Sequence, residues 1–544
     1  MQPRFQSTLL TALSAALMLT LVLASSHAQA FCGFFAGKAD ASLFNEASQV
    51  ILVRDGKKSV ISMLNDFKGP LTDFALVVPV PQVLEKGQVR IGDKRLFDRL
   101  DAYSAPRLAE YYDPDPCPVG QPYYLQRGND AMAESVAPVA KPMMKQKSDK
   151  ALGVTVEASY TVGEYDIVML SAKQSNGLET WLVSNGYKMP AGAAAALKPY
   201  VAQNMKFFVA KVNLEEQSKT GTQYLRPIQF AFDSEKLMLP IRLGMINADP
   251  QKQQDLIAYV LTKKGRVESQ NYRTVKLPAN ENLPPAIKKD FNTFYKAMFD
   301  HQAKQENHRV VFTEYFWDMG WCDPCADDPL SREEMLQAGV FWLDGDIDVQ
   351  KPMRSNKMRP LPFPGSGAQN ALLTRLHVRY TPDTFPEDLM FVQTADRQNW
   401  QTRYVVQNPF EGNLQQCREK AANYSCENVC QGTEDGRWSS SDEKARSQRE
   451  PSSRKPYIND CVQSCKANNR SALEQARLYY ETDLPQRRET ELQTLTRYTG
   501  WNMQQVQHYV SGKPITASEK LPVNDTQPSN KWWEKLFNKD ASKP

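Results

Sequence analysis

The residues of this chain best able to do chemistry are its nine cysteines, at positions 32, 117, 322, 325, 417, 426, 430, 461 and 465. An odd count leaves at least one of them free, intermolecular or bound to something else. Cys322-Asp323-Pro324-Cys325 follows Trp321 directly. C-x-x-C spacing serves a thiol–disulfide centre, half of a metal site or a plain structural bridge. A redox pair usually sits at a helix N-terminus, where the dipole lowers the thiol pKa. Here the next helix starts too late for that. Ser331 and Glu334 have capping-box spacing, and Gly339 closes the segment. Asp323, Asp327 and Asp328 would also raise a thiol pKa. The structural bridge is the favoured reading, with redox and metal chemistry as the alternatives.

Cys426/Cys430 and Cys461/Cys465 repeat a C-x3-C spacing. Four residues apart on a helix, both sulfurs face the same way, one turn from each other. Asn413 to Val429 is rich in helix formers, with Gly432 as the expected stop. Asn459 or Asp460 can cap a second helix running through Ser471. An antiparallel hairpin would pair Cys426 with Cys465 and Cys430 with Cys461. The inner bridge closes a loop of about 30 residues, worth roughly 3–4 kcal/mol on the chain-entropy model. Zinc is the alternative, weakened by the lack of nearby histidine. Cys417 is then the odd one out, and Cys32 and Cys117 are candidates for a further bridge.

Other constellations are thin. His301, His308, His377 and His508 form no zinc pattern, and there is no G-x-S-x-G, P-loop or G-x-G-x-x-G. His377 alternates with Arg375 and Arg379 along an expected strand. Gly365-Ser366-Gly367 follows prolines and reads as a turn. Asp344-Gly345-Asp346-Ile347-Asp348 opens like a calcium loop, but Val349 replaces the glycine and Ser355 the closing glutamate, so an acidic turn is the better reading. No cofactor is expected.

The thiols acquire their meaning from the first 30 residues. A polar start with one Arg, an apolar run from Leu9 to about Ala24, and Ala28-Gln29-Ala30 read as a cleaved signal peptide, with an uncleaved anchor as the alternative. An exported, periplasmic or cell-envelope protein matures where thiols pair. Lys plus Arg is 66 against 62 for Asp plus Glu, with no basic stripe, so nucleic acid is not an expected partner. Hydrophobic residues at 41% and charged residues at 24% exclude wholesale disorder and a polytopic membrane protein. The tail is amphipathic if helical: Trp532, Trp533, Leu536 and Phe537 share a side, and Lys531, Lys535 and Lys539 another. It could rest weakly on a membrane surface, or dock on the protein's own body.

Periodicity supplies the elements. Val50–Val53 and Ser59–Met63 flank Asp55-Gly56 as a hairpin, and Phe74 to Pro81 is a further strand. Asp93 can cap a helix through Leu100. Strands are expected at 154–158, 165–170, 207–212, 228–232, 237–243, 256–261, 310–317, 372–380 and 402–406. Helices are expected at 178–184, at 191–198 ending before Pro199, and at 284–303. Residues 433–455 read as disordered. The resulting organisation is a signal peptide (1–30), an N-terminal β-rich unit (31–117) and a linker or insertion (118–153). An α+β body with the C-x-x-C (154–410), a helical hairpin with the twin C-x3-C (411–510) and a linker with the amphipathic tail (511–544) follow.

In order along the chain stand Phe31-Cys32-Gly33, Phe74 to Pro81, Tyr103-Ser104-Ala105-Pro106-Arg107 and Val162-Gly163-Glu164-Tyr165. Asn185-Gly186-Tyr187, Leu239-Pro240-Ile241-Arg242-Leu243-Gly244, Cys322 to Cys325 and Thr374-Arg375-Leu376-His377 come after them. As a set these resemble a bacterial family of exported proteins catalogued as domain of unknown function family 2330, over about Phe31 to Phe410. That resemblance implies no activity and carries no catalytic residues; the twin C-x3-C region and the tail lie beyond it. The expected fold class is α+β: antiparallel β-rich units with short helices, then a disulfide-stapled α-helical hairpin and a flexible tail. The expected function is an exported binding or scaffold protein, its partner an unknown envelope protein or ligand. The alternative is a thiol–disulfide or metal-dependent enzyme centred on Cys322 and Cys325.

Overall fold

The computed structural model describes residues 34–37, 47–64, 74–119, 154–187, 189, 192–220, 225–245, 253–321, 323, 329–343, 370–438 and 454–512. In strand Ala47–Asp55 the side chains alternate. Val50 and Leu52 enter one apolar cluster, Ile51 and Val53 another, and all four are buried. A strand that buries both faces belongs in the middle of a layered structure.

It lies mid-sheet. The central sheet runs Arg273–Lys276, Val310–Asp318, Leu372–Tyr380, Gln254–Thr262, Ala47–Asp55, Lys58–Leu64, Ile228–Asp233, Val89–Ile91, with Trp400–Gln401 pairing onto Val310–Asp318. Two of its pairings are parallel, Gln254–Thr262 with Ala47–Asp55 and Arg273–Lys276 with Val310–Asp318; the others are antiparallel. A five-stranded antiparallel sheet lies face to face with it, in the order Phe34–Gly37, Phe74–Val80, Lys206–Val212, Tyr165–Ala172, Val154–Val162. Leu52, Ile61 and Phe230 meet Val78, Met169 and Phe208 in the interior between them. Each such side chain contributes roughly 1.5–3 kcal/mol when fully buried, so this interior dominates stability.

Helices cover the outer faces. Lys94–Ser104 and Arg332–Ala338 set Phe97, Leu100 and Met335 on Ile51, Val53 and Tyr259. Ser175–Ser184 and Ala193–Ala202 set Leu178, Leu182 and Leu197 on Val77 and Val209 of the five-stranded sheet. The body is therefore a helix–sheet–sheet–helix sandwich. Asp93 caps its helix by accepting from the Arg95 amide, and Ser331 and Glu334 close a capping box ending at Gly339.

Several expectations need correction. The segments 31–117 and 154–410 are not successive units: Phe74–Val80 pairs with Lys206–Val212, and Ala47–Asp55 with Gln254–Thr262. Helix Ala193–Ala202 continues through Pro199, because burial of Leu197 and Tyr200 outweighs the lost hydrogen bond. The strand expected at 237–243 stops at Leu239, where Pro240 ends the ladder and a helical turn, Ile241–Gly244, follows. The helix expected at 284–303 divides into a 3-10 turn, Pro285–Lys288, and helix Phe291–Gln305, capped by Asp290.

After the sandwich comes a helical arm: Leu414–Ala422, Cys426–Trp438, Arg454–Leu478, a π-helical turn at Tyr479–Asp483, then Leu484–Thr499 and Met503–Val510. The single helix expected over 413–429 is broken, since Ser425 accepts from the Asn428 amide and starts a new helix. That helix runs past Gly432 to Trp438, and its partner already begins at Arg454, so both ends of the stretch read as disordered are helical. Leu495, Tyr498, Trp501 and Val506 pack the last two helices onto Phe291–Gln305. Among the described residues no helix is long and apolar enough to cross a membrane.

Candidate functional site

The arm is stapled as its cysteine spacing requires: Cys426 bonds Cys465 and Cys430 bonds Cys461, with Cα atoms 5.8 Å apart in each pair. Cys117 does not pair with Cys32, and Cys417 is not left over. Cys117 and Cys417 bond each other across 300 residues. The break after Ala422 allows this, because it lets Leu414–Ala422 lie against Val119, Ala472 and Ala476. Lys420 braces the contact through the Asp115 carboxylate and the Cys117 carbonyl, each at 2.9 Å. Cys32, Cys322, Cys325, the acidic turn at 344–348, the signal peptide and Trp532, Trp533, Leu536 and Phe537 lie outside the described residues. Within the C-x-x-C, Asp323 is buried and accepts from Tyr315 Oη at 3.0 Å and Gln401 Nε2 at 3.1 Å.

The arm meets the body at Asp113. Its carboxylate accepts from Tyr479 Oη at 2.5 Å, from Arg487 at 3.0 and 2.7 Å, and from Gln407 at 2.8 Å. Tyr479 begins the π-helical turn, a device that re-aims side chains within a helix. One turn beyond Arg487, Glu491 is buried, and burial pushes its carboxyl up to about 7 against the attraction of Arg487 and Arg488.

The alternation of Arg375, His377 and Arg379 marks a buried ionic layer beneath helices Phe291–Gln305 and Lys94–Ser104. Leu376 and Val378 face the apolar sandwich, and the three bases face the opposite way. Glu314 enters this layer through a β-bulge, at the register shift between Thr313 and Tyr315. It accepts from Arg375 Nε at 2.5 Å, lies 2.6 Å from His377 Nδ1 and accepts from Tyr295 Oη. Arg379 grips Asp255 with two bonds of 2.7 and 2.9 Å and also reaches Asp300, while Arg375 reaches Asp101. The His377 ring stacks on Phe299 at 3.9 Å.

Electrostatics follows from this placement. Burial opposes ionisation of Glu314, but His377 and Arg375 outweigh it and hold the carboxyl down at about 2. Burial likewise opposes an imidazolium, yet Glu314 and Asp255 raise His377 above its ordinary value. Burial wins at Asp101, whose carboxyl is raised despite Arg375. The layer binds two helices to the sheet and can exchange protons with pH. Among the described residues no cluster of three His, Cys, Asp or Glu side chains could hold a metal ion. Sequence reading noticed the three bases but not their acids, which come from four other elements.

The open concave surface lies elsewhere. A groove of about 330 Å³ runs along strands Lys58–Leu64 and Ile228–Asp233, past the end of Phe74–Val80, and is closed by Ser234–Pro240. Its walls include Met63, Val78, Met205, Phe230, Phe232 and Met238. A second hollow, of about 360 Å³ near Val60 and Phe341, is crossed by Arg90, which is tied to the Leu336 and Gln337 carbonyls. The groove is thus an apolar, accessible site, and no sequence motif announces it because its walls come from separate strands and turns.

No curated protein and no solved structure matches the chain. One family does, over residues 26–392, which takes in the sandwich except the short strand Trp400–Gln401 and ends before the stapled arm. On that match the chain belongs to the bacterial family DUF2330, described as an uncharacterized protein conserved in bacteria.

Proposed function

We propose that this is an exported binding protein of the bacterial cell envelope, with the sandwich as its binding body and the stapled arm as a rigid scaffold. The observation that carries the reading is the set of three disulfides, which ties the arm to itself and to the body. Such bridges persist in oxidising compartments and are rare in cytosolic proteins. The preformed apolar groove supports a binding role, since ligand sites are concave and mostly apolar with a few polar groups at fixed positions. In this reading the tail bearing Trp532 and Trp533 adds weak contact with the membrane surface. The test of that contact is liposome sedimentation of the full chain against one ending at Ser529; equal binding removes it.

The central test is trapping of free thiols in living cells, followed by fractionation and non-reducing peptide mapping. The expected result is a periplasmic chain starting near Phe31, with all three bridges formed. A cytosolic chain with its thiols free overturns the proposal. The same map reads the state of Cys322 and Cys325. A labile bridge or bound metal there would move the chain toward the thiol–disulfide or metal-dependent enzyme.

A further inference from the structure

We infer that the groove is a binding site for a single-chain amphiphile with an anionic head, its tail on the methionine and phenylalanine walls and its head at Lys236. This rests on the binding-protein reading and names the ligand class. The walls come first. Met63, Met205 and Met238 are unbranched and polarisable, so they adapt to a flexible chain. Phe230 stacks on Phe232 at 6.1 Å between ring centres and both line the groove, while the buried Phe208, 5.4 Å from Phe230, holds that ring in place from behind. Pro79, Pro81 and Pro240 also line the groove and offer no backbone N–H. The lining therefore favours an apolar tail over a polar ligand.

Size comes next. Taking about 30 Å³ per water-sized group, the groove holds on the order of ten such groups. That suits one medium-length alkyl chain and is too small for a two-chain lipid.

The mouth decides the head group. Residues 234–236 form its rim, and Arg54 braces the turn from below. The Arg54 guanidinium is mostly buried and donates to Ser59 Oγ at 2.7 Å and to the carbonyls of Lys57 at 3.0 Å and Ser234 at 2.8 Å. Glu235 is paired with Lys57. Lys236 is exposed, lines the groove and has no carboxylate partner among the described residues. Of the two charged residues that line the groove, Glu235 and Lys236, the first is already neutralised by Lys57, so Lys236 leaves the mouth an excess of one positive charge. An anionic head fits that excess, and a cationic head meets it with repulsion.

The test is calorimetric titration of the full, delipidated, disulfide-bonded protein with three probes below their micelle concentrations: laurate, lauryl alcohol and dodecyltrimethylammonium. The expected result is one laurate per chain, weaker binding of the alcohol and weakest binding of the ammonium. Lys236→Glu, a surface change with little consequence for folding, should weaken laurate about fivefold and leave the alcohol unchanged. Met238→Trp, at the half-buried wall, should weaken laurate and alcohol together; its melting temperature checks that it folds. Equal binding of laurate and the ammonium, an unchanged laurate affinity in Lys236→Glu, or no binding by a folded and bridged chain overturns the ligand class and leaves the export reading standing. A chain recovered from cells with free thiols removes both.

Discussion

Glu314 is the residue on which the most buried charge depends. It faces both Arg375 and His377, and its own side chain is 1% exposed. A buried ion pair adds little net stability, but removing one partner strands the other, at a cost of about 3–5 kcal/mol. Glu314→Gln should therefore lower unfolding stability by about that amount, measured by urea titration at pH 7; a loss under about 1 kcal/mol would mean that water reaches the layer. Among the groups that make stability depend on pH, two raised ones act as pH climbs toward 8. His377 is raised above its ordinary 6.5, so its stabilisation is complete below that value and is lost as pH rises through the folded-state pKa. Glu491, pushed up from 4.5 to about 7, behaves in the same sense: its contribution is complete below 4.5 and disappears as pH rises through about 7. Glu491→Gln should flatten the decline between those values and raise stability at pH 8 by up to about 3 kcal/mol. Urea midpoints at pH 4.5, 7 and 8 check this, and a steeper decline in the variant would refute it. Part of this was legible. Three bases alternating along a buried strand demand buried acids, but Asp101, Asp255, Asp300 and Glu314 each sit in an otherwise ordinary stretch of sequence.

At the scale of elements, the twin C-x3-C was readable because the two cysteines of each C-x3-C obey one local rule, the helical turn. The bridge from Cys117 to Cys417 obeys none, since two distant segments meet only once the sandwich has closed and the helix has broken at Ser425. The same limit explains the merged units: strand periodicity shows that Ala47–Asp55 buries both faces, not that Gln254–Thr262 will lie beside it. Pro199 fails as a stop for a related reason, tertiary packing overriding local preference. The long bridge carries a consequence of its own. Replacing both Cys117 and Cys417 by Ala frees a large loop in the unfolded chain and should cost about 2–5 kcal/mol. Asp113, Tyr479 and Arg487 still hold the arm at its other contact, so the double variant should stay folded, with a lower melting temperature and unchanged far-ultraviolet circular dichroism. Loss of helical signal would mean that the bridge, rather than the Asp113 cluster, positions the arm.

Over the whole molecule, stability divides by its source. The four apolar clusters that build the sandwich and dock the last two helices contain no disulfide cysteine, whereas the small cluster under the arm includes Cys117 and Cys417. Among the described residues the side chains of the twin-bridged helices are mostly exposed, and few apolar contacts hold them once the sulfurs part. Leu484–Thr499 and Met503–Val510 differ, because Leu495, Tyr498, Trp501 and Val506 keep them against Phe291–Gln305 without any covalent help. Reduction should therefore open the middle of the C-terminal region and leave both its flanks in place, a sub-global unfolding rather than collapse of the whole. Limited proteolysis with and without dithiothreitol, read by mass spectrometry, tests this. New cuts should appear within 412–478 on reduction, while the sandwich and the fragment from Leu484 stay protected and remain together on a sizing column. Simultaneous cutting throughout the sandwich would show that the bridges sustain the fold itself, and the division between an apolar body and a covalently held arm would be wrong.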